Sequence, residues 1–172
     1  MKKSLQYPIG EFVAPENITR NDLDEWIETI EEAPIQLRKV LESLPESLLD
    51  TSYRPGGWTV KQIVHHLADS YMNSYIRFKL ALTENFPTIK AYDENAWANL
   101  PDYQMPVESS LQLLESLHTR WGQLLRSMSL SDFSKTFYHP ETKQDVMLST
   151  NVALYAWHSK HHLEHIKLVS VH

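Results

Sequence analysis

Apolar residues recur at spacings of three and four along four stretches of the chain, which is the pattern of amphipathic helices. The first predicted helix starts near Thr19, whose hydroxyl can cap the turn that contains Asp22, and its apolar face continues to Leu44. Pro34 lies inside this stretch. We expect a kink there, because proline lacks the backbone N–H group that bonds one turn back.

The second and third predicted helices each open with a capping-box sequence. TVKQ follows the turn RPGG, with Thr59 as the N-cap and Gln62 reaching back, and an apolar face then covers residues 60 to 82. SSLQ opens the third helix, whose apolar stripe covers residues 111 to 128. Both segments are therefore predicted to pack one face against a core.

The segments between the helices complete the predicted fold. A long connection, ENFPTIKAYDENAWANLPDYQMPVE, separates helices 2 and 3, and loops of this length are uncommon in compact domains unless they serve a function. FYHPETKQDVML indicates a short hairpin or ordered loop around Pro140, and the fourth helix covers residues 150 to 169. Four helices of roughly 20 residues, each about 30 Å long, predict an all-α four-helix bundle in a single domain, residues 1–172.

Composition narrows the possible partners. The 172-residue chain has a formal net charge of -6, which argues against binding to nucleic acid or to an anionic membrane. It contains no apolar run of 18 residues and no signal-peptide pattern, so we expect a cytoplasmic protein. Cysteine is absent, which excludes disulfides, a thiolate nucleophile and sulfur ligands to a metal. Any metal ion would be bound by nitrogen and oxygen atoms.

The fourth helix carries the densest chemistry, in the sequence AWHSKHHLEHI. At about 100° per residue, His158, His161, His162 and His165 fall within one arc of roughly 100° on the inward face. His158 and His162 are one turn apart, as are His161 and His165, and either pair is able to bind one ion. The alternative is that these are interior histidines whose nitrogens are satisfied by hydrogen bonds.

A third histidine on another helix would favour a metal site. In VHHLADS of the second helix, His66 shares a polar stripe with Asn73 and Arg77. Helix bundles commonly build metal sites from side chains on facing helices. His66 together with His158 and His162 is therefore a plausible set of three ligands with open coordination positions.

The motifs around these histidines resemble those of the DinB superfamily. GGWTVKQIVHHLADS is similar to the second-helix signature of that superfamily, a Gly-Trp-Thr turn followed by a metal-binding histidine eight residues after the tryptophan. Counted from Trp58, this selects His66 over His65. WHSKHHLEH resembles the HxxxH motif of the fourth helix, which selects His158 and His162.

The resemblance is closer still to the YfiT group, proteins named as metal-dependent hydrolases and related to bacillithiol transferases. YPIGE, GGWTV, HHLADS, NSYIRFKL, YDE, FYHP and WHS all agree with that group, over nearly the whole chain. One motif departs from the superfamily pattern, because HHLEH stands where many members have HHRGQ. His165 thus occupies the position of the glutamine.

The resemblance implies one divalent cation bound by three neutral imidazoles. Zinc and nickel are the leading candidates, followed by manganese, iron and cobalt. If the open position holds a thiol, the protein is an S-transferase that joins a low-molecular-weight thiol such as bacillithiol to a small electrophile. If it holds water, the protein is a hydrolase. A third possibility is a non-catalytic bundle that metal only stabilises. A homodimer is expected from the resemblance and from the many aromatic residues.

Several further residues are candidates for roles around the ion. His118 is expected in the core or at one end of a cavity, and Glu94 is one of the possible bases for water. His65, His139 and His172 are expected to be structural or exposed. The candidate catalytic residues are His161, His165 and Asp69, and the candidate substrate-binding residues are Asn73, Arg77 and Tyr92.

Overall fold

The computed structural model of the protein describes residues 5–169 and has the predicted helical-bundle architecture. Its four long helices are α1 (Arg20–Glu42), α2 (Val60–Thr83), α4 (Glu108–Ser127) and α6 (Leu148–Val169). The shorter elements are the helices α3 (Glu94–Trp97) and α5 (Leu130–Phe133), the 3₁₀ turns Glu46–Leu48 and Pro101–Gln104, and the antiparallel strands β1 (Thr136–His139) and β2 (Gln144–Met147). None of the helices described is long and apolar enough to cross a bilayer.

The long helices pack so that α1 and α2 each lie mainly against α4 and α6. Helices that are consecutive in the chain, α1 and α2, are therefore diagonal to each other in the bundle. Large side chains fill the centre, among them Tyr71, Phe78 and Trp121, each at most 1% exposed. The contact between α2 and α6 brings together the two helices that carry most of the histidines.

Two of the predicted helix starts are confirmed and two are shifted. Thr19 and Thr59 both form capping boxes, with Asp22 and Gln62 as the partners. SSLQ does not cap α4, which begins at Glu108 without a side-chain cap. The hydroxyl of Ser109 instead donates to the carbonyl of Pro106, so the turn that follows this proline sets the helix start. The last helix begins at Leu148, two residues earlier than predicted.

Pro34 lies within α1, which continues through it as one helix. Proline has no N–H group to donate to the carbonyl of Ile30 one turn earlier. Nδ1 of His118 on α4 donates to this carbonyl oxygen instead, at 2.6 Å. His118 is only 2% exposed, so its place is in the core, between α1 and Tyr71.

The long connection between α2 and α4 is ordered and bonded to α2. Tyr103 donates its hydroxyl to a carboxylate oxygen of Asp69 at 2.6 Å. The ring of His65 bonds to the Ser110 hydroxyl and the Met105 carbonyl at 2.7 and 3.0 Å. These contacts hold the connection against the helix, and α3, capped by Asp93, then lies beside the cavity described below.

Candidate metal centre

His66 of α2 meets His158 and His162 of α6, and one ligand nitrogen from each lies within 4.8 Å of the others. Nε2 of His66 is 3.3 Å from Nε2 of His158. Two nitrogens that each lie about 2.05 Å from a tetrahedral zinc ion are roughly 3.3 Å apart. The spacing of these donors therefore suits one divalent ion.

The three imidazoles are held in the form that binds metal. Burial lowers the pKa of His66 to about 3. Burial and the neighbouring imidazoles hold the pKa values of His158 and His162 well below 6.5. His158 lines the cavity and is partly exposed there, but protein surrounds most of its ring. All three side chains are neutral at pH 7, so no proton has to be displaced before a metal binds.

The turn before α2 places an aromatic ring against the ligands. Gly56 has φ +70°, and a Cβ on Gly57 would lie 2.9 Å from the ring of Tyr53. The turn that these glycines permit positions Trp58, whose ring centre lies 4.5 Å from that of His66. It is also stacked at 6.3 Å on His162. Trp58 thus fixes ring orientations and covers one side of the centre.

A chain of hydrogen bonds assigns the ligand nitrogen of His162. Nε2 of His165 lies 3.1 Å from the carbonyl oxygen of Gln6, and a carbonyl only accepts, so this nitrogen carries the proton. Nδ1 of neutral His165 is then an acceptor, and Nδ1 of His162, 3.4 Å away, donates to it. Nε2 of His162 remains available to an ion. His165 therefore contacts a candidate ligand directly, which is the position of a residue that orients a ligand.

His161 is turned toward the other side of the same centre. Its ring stacks on Trp157 at 4.3 Å and lies 5.9 Å from the ring of Tyr7. Burial and the nearby His165 lower its pKa to about 4, so it is neutral at pH 7. Nδ1 of His161 has no hydrogen-bond partner among the described residues. A neutral imidazole here is able to accept a proton from a bound molecule.

The three histidines line one part of a cavity of about 600 Å³, which we call the histidine cavity. Arg77, Glu94, His139 and Asn151 line it as well, together with the N-terminal residues Gln6 and Tyr7 and several aromatic side chains. The volume is that of a small-molecule site. Of the proposed substrate-binding residues, Arg77 lines this cavity.

Three other candidate residues lie outside the lining of the cavity. The carboxylate of Asp69 accepts from Tyr103, and the side-chain amide of Asn73 donates to the backbone carbonyl of Asp69. Tyr92 packs on Trp97 at 4.3 Å, with a buried hydroxyl that has no partner among residues 5–169. Asp69 and Asn73 thus support the fold beside the centre.

Sequence analysis did not place His139 or Asn151 in the cavity. His139 was interpreted as structural or exposed, and it enters the cavity because the hairpin folds against the connection through the pairing of Thr88 with Tyr138. Asn151 lies seven residues before His158, two turns along the same face of α6, and its amide donates to Ser74 at 2.9 Å. Helical spacing could have found Asn151. His172, interpreted in the same way as His139, lies outside the described residues.

Proteins similar to this chain are named as metal-dependent. Over 162 residues the chain is 56% identical to a Bacillus cereus protein named "Putative metal-dependent hydrolase", covering 94% of this chain and 93% of that one. A Bacillus anthracis protein of the same name is 55% identical.

Two solved structures share the fold. The first is described as "YfiT from Bacillus subtilis is a probable metal-dependent hydrolase with an unusual four-helix bundle topology"; it is 50% identical, with a TM-score of 0.94, and the match covers 97% of this chain and 96% of that one. The second is a mycothiol-dependent maleylpyruvate isomerase, 16% identical with a TM-score of 0.67, over 87% of this chain and 63% of that one. A family model described as DinB superfamily matches residues 29–166. The chain belongs to the DinB superfamily.

Proposed function

We propose that this protein is a divalent-metal-dependent S-transferase, which joins a low-molecular-weight thiol of the bacillithiol type to a small electrophile. The observation that carries the proposal is a set of three neutral imidazoles, at the spacing of metal ligands, in a cavity of small-molecule size. We also propose that it works in the cytoplasm, and that it forms a homodimer, as the resemblance implies.

The donor set fits zinc or nickel. His66, His158 and His162 would hold the ion, and three protein ligands leave a coordination position open, as in catalytic zinc sites. A bound divalent ion supplies positive charge that lowers the pKa of a thiol or a water molecule in that position. His165 keeps His162 in one tautomer, and Trp58 excludes water from one side.

The charges around the centre favour a thiol over water as the nucleophile. A divalent ion would lower the pKa of either nucleophile, but a thiol has the lower pKa to begin with and therefore depends less on a neighbouring base. Among the described residues that line the cavity, Glu94 is the one carboxylate. Its charge acts on Arg77, Tyr92 and Tyr155 rather than on the ligand histidines. No carboxylate base is therefore placed beside the three imidazoles in the described part of the chain.

In the proposed reaction the thiol loses its proton, its sulfur forms a bond to the electrophilic carbon, and the leaving group departs with the bonding electron pair. His161 is the candidate acceptor for the released proton, since it is neutral and lines the same cavity. The surrounding aromatic side chains exclude bulk water from the electrophile.

Hydrolysis is the second candidate, and the names of the close relatives favour it. In this case His161 would take the proton from water, because its ring is neutral at pH 7 and its Nδ1 is unpaired among the described residues. The two reactions can be distinguished by their need for a thiol, because the transferase requires an added thiol and the hydrolase does not.

The test is to load the purified protein with zinc or nickel and assay it with bacillithiol, glutathione, cysteine and coenzyme A against a panel of electrophiles, and in parallel against esters and amides without thiol. We expect conjugation that is lost in His158→Ala and kept in His65→Ala, a histidine whose ring bonds to the connection. Cleavage without thiol, lost in His158→Ala, would instead establish the hydrolase. Silence in both assays with the metal still bound would establish the non-catalytic bundle.

A further inference from the structure

Only some of the arginines in this acidic chain form ion pairs with carboxylates among the described residues. Of the six, Arg20, Arg38 and Arg126 form ion pairs with carboxylates, and Arg54, Arg77 and Arg120 form none among the described residues. Two of the three without an ion pair, Arg54 and Arg77, line the histidine cavity. A protein with a net charge of -6 therefore directs positive charge into this cavity.

Arg77 is the less engaged of these two side chains. The guanidinium of Arg54 donates to the Tyr53 hydroxyl and to the Pro55 carbonyl, at 3.2 and 3.1 Å. Arg77 is half-buried on α2, and neither a hydrogen bond nor an ion pair of its guanidinium is found in residues 5–169. A guanidinium in this state has up to five donors for a ligand, and it binds a carboxylate with two of them at once.

Arg77 also lies at a useful distance from the candidate metal ligands. It follows His66 by eleven residues on α2, which corresponds to roughly 16 Å along the helix axis. Side chains of a helix tilt toward its N-terminus, so the long side chain of Arg77 extends back in the direction of His66. A ligand that contacts both the ion and the guanidinium therefore has to span the separation that remains.

Glu94 supplies the opposite charge in the same cavity. It is the first residue of α3 and lines the cavity together with Arg77. The side chain of Glu94 is exposed to solvent, yet the protein around its carboxylate raises its pKa through burial, and the charge of Arg77 opposes that rise. The two side chains interact through space and do not form an ion pair with each other. A gap therefore separates a cation and an anion at this end of the cavity.

We infer that the molecule bound in the histidine cavity is a small zwitterion, whose carboxylate is bound by Arg77 and whose ammonium group is bound by Glu94. This inference rests on the proposed function for the role of the third group, the thiol, at the metal. The two charges of the ligand would complete two partly desolvated side chains that have no partner of their own in the described structure. A ligand with one charge would leave the other side chain unpaired.

The test uses four matched thiols on the zinc-loaded protein: cysteine, N-acetylcysteine, cysteinamide and N-acetylcysteinamide, which carry both charges, the carboxylate alone, the amine alone and neither. Calorimetry measures each dissociation constant. We expect cysteine to bind about tenfold more tightly than either singly charged thiol. This factor corresponds to about 1.4 kcal/mol, the free energy of one charge-assisted contact that the singly charged thiol loses.

Variants then locate the contacts. Arg77→Gln should abolish the advantage of the carboxylate and keep that of the amine, and Glu94→Gln should do the reverse. Arg77→Lys should retain part of the carboxylate advantage. Arg120→Gln is the matched control, because Arg120 also lacks an ion pair but lies over the ring of Tyr75 outside the cavity. Because cysteine and cysteinamide also chelate zinc through the amine, only the part of their advantage lost in Glu94→Gln counts as evidence.

The oxygen analogues serine, N-acetylserine, serinamide and N-acetylserinamide separate this inference from the proposed function. If thiols bind no better than alcohols while the charge pattern persists, the thiol role is wrong and the zwitterion inference stands. Equal affinities across each series, or a pattern unchanged in Arg77→Gln and Glu94→Gln, would overturn the inference. A carboxylate preference that disappears only in Arg54→Gln would also overturn it.

Discussion

Acid should destabilise the metal-free protein, because several of its histidines are buried in the neutral form. Burial lowers the pKa of His66 to about 3 and that of His118 to about 4, and it holds that of His162 well below 6.5. Unfolding exposes these imidazoles to water, where their pKa is near 6.5. As the pH falls below this value, the unfolded chain binds protons that the folded chain does not, and stability is lost.

The magnitude follows from the size of the shifts. Each such histidine contributes a loss of about 1.4 kcal/mol between pH 7.5 and 5.5, so His66, His118 and His162 together contribute about 4 kcal/mol. This is a large share of the roughly 5–15 kcal/mol that stabilises a typical domain. Urea unfolding followed by circular dichroism, in the presence of a chelator, measures the loss.

A variant tests whether the named residue is responsible. His66→Gln removes one titrating group, so its loss between the two pH values should be about 1.4 kcal/mol smaller than that of the parent. Ser70→Ala, a change at a buried residue one turn further along α2, should leave the pH-dependent loss unchanged. Equal stability of the parent at pH 7.5 and 5.5, or a loss in His66→Gln equal to that of the parent, would refute the argument.

Three further predictions concern the support of the centre, the core and the assembly. His165→Ala should weaken zinc binding about 10- to 100-fold in competition with a chromophoric chelator, because His162 loses its hydrogen-bond acceptor, and unchanged affinity would contradict this role. His118→Phe should cost about 1–3 kcal/mol in urea unfolding by leaving the Ile30 carbonyl unpaired, and adding Pro34→Ala should recover part of it, whereas strictly additive effects would reject the interpretation. Light scattering at micromolar concentration should give twice the chain mass of 20.1 kDa, and a monomer mass would reject the homodimer.

Local sequence patterns predicted the start of a long helix correctly where a single capping interaction determines it. Thr19 and Thr59 cap their helices as predicted, since each needs only a partner three residues later. SSLQ contains the same local signal, but the helix had already begun at Glu108, after the turn at Pro106. A capping pattern shows that a residue is able to cap, and the path of the preceding chain determines whether it does.

The histidines show the same division between local pattern and tertiary structure. Helical spacing placed four of them on one face of the last helix, but His161 is rotated only about 60° from His158, and spacing does not separate the two pairs. The structure turns His158 and His162 toward His66, while His161 packs on Trp157. His66, the partner of His158 and His162, comes from another helix, and the pattern within α6 does not reveal it.

Glu94 is one of the bases that the sequence suggests, but pattern analysis does not place it in the same cavity as Arg77. It reaches the cavity from the long connection, whose path depends on bonds such as that between Tyr103 and Asp69. A loop has no regular repeat, so its sequence does not predict which of its residues point into a cavity. The juxtaposition of Glu94 with Arg77 therefore became visible only in the structure.

The metal content of purified variants tests the central claim most directly. His66→Ala, His158→Ala, His162→Ala and the control His161→Ala are each analysed for bound metal per chain, with helix content measured on the same samples. We expect close to one divalent ion per chain in the parent and in His161→Ala, and a much lower content in the other three variants, all with normal helix content. Full metal content in any one of those three variants would exclude that residue as a ligand, and a parent protein that binds no divalent ion would contradict the account as a whole.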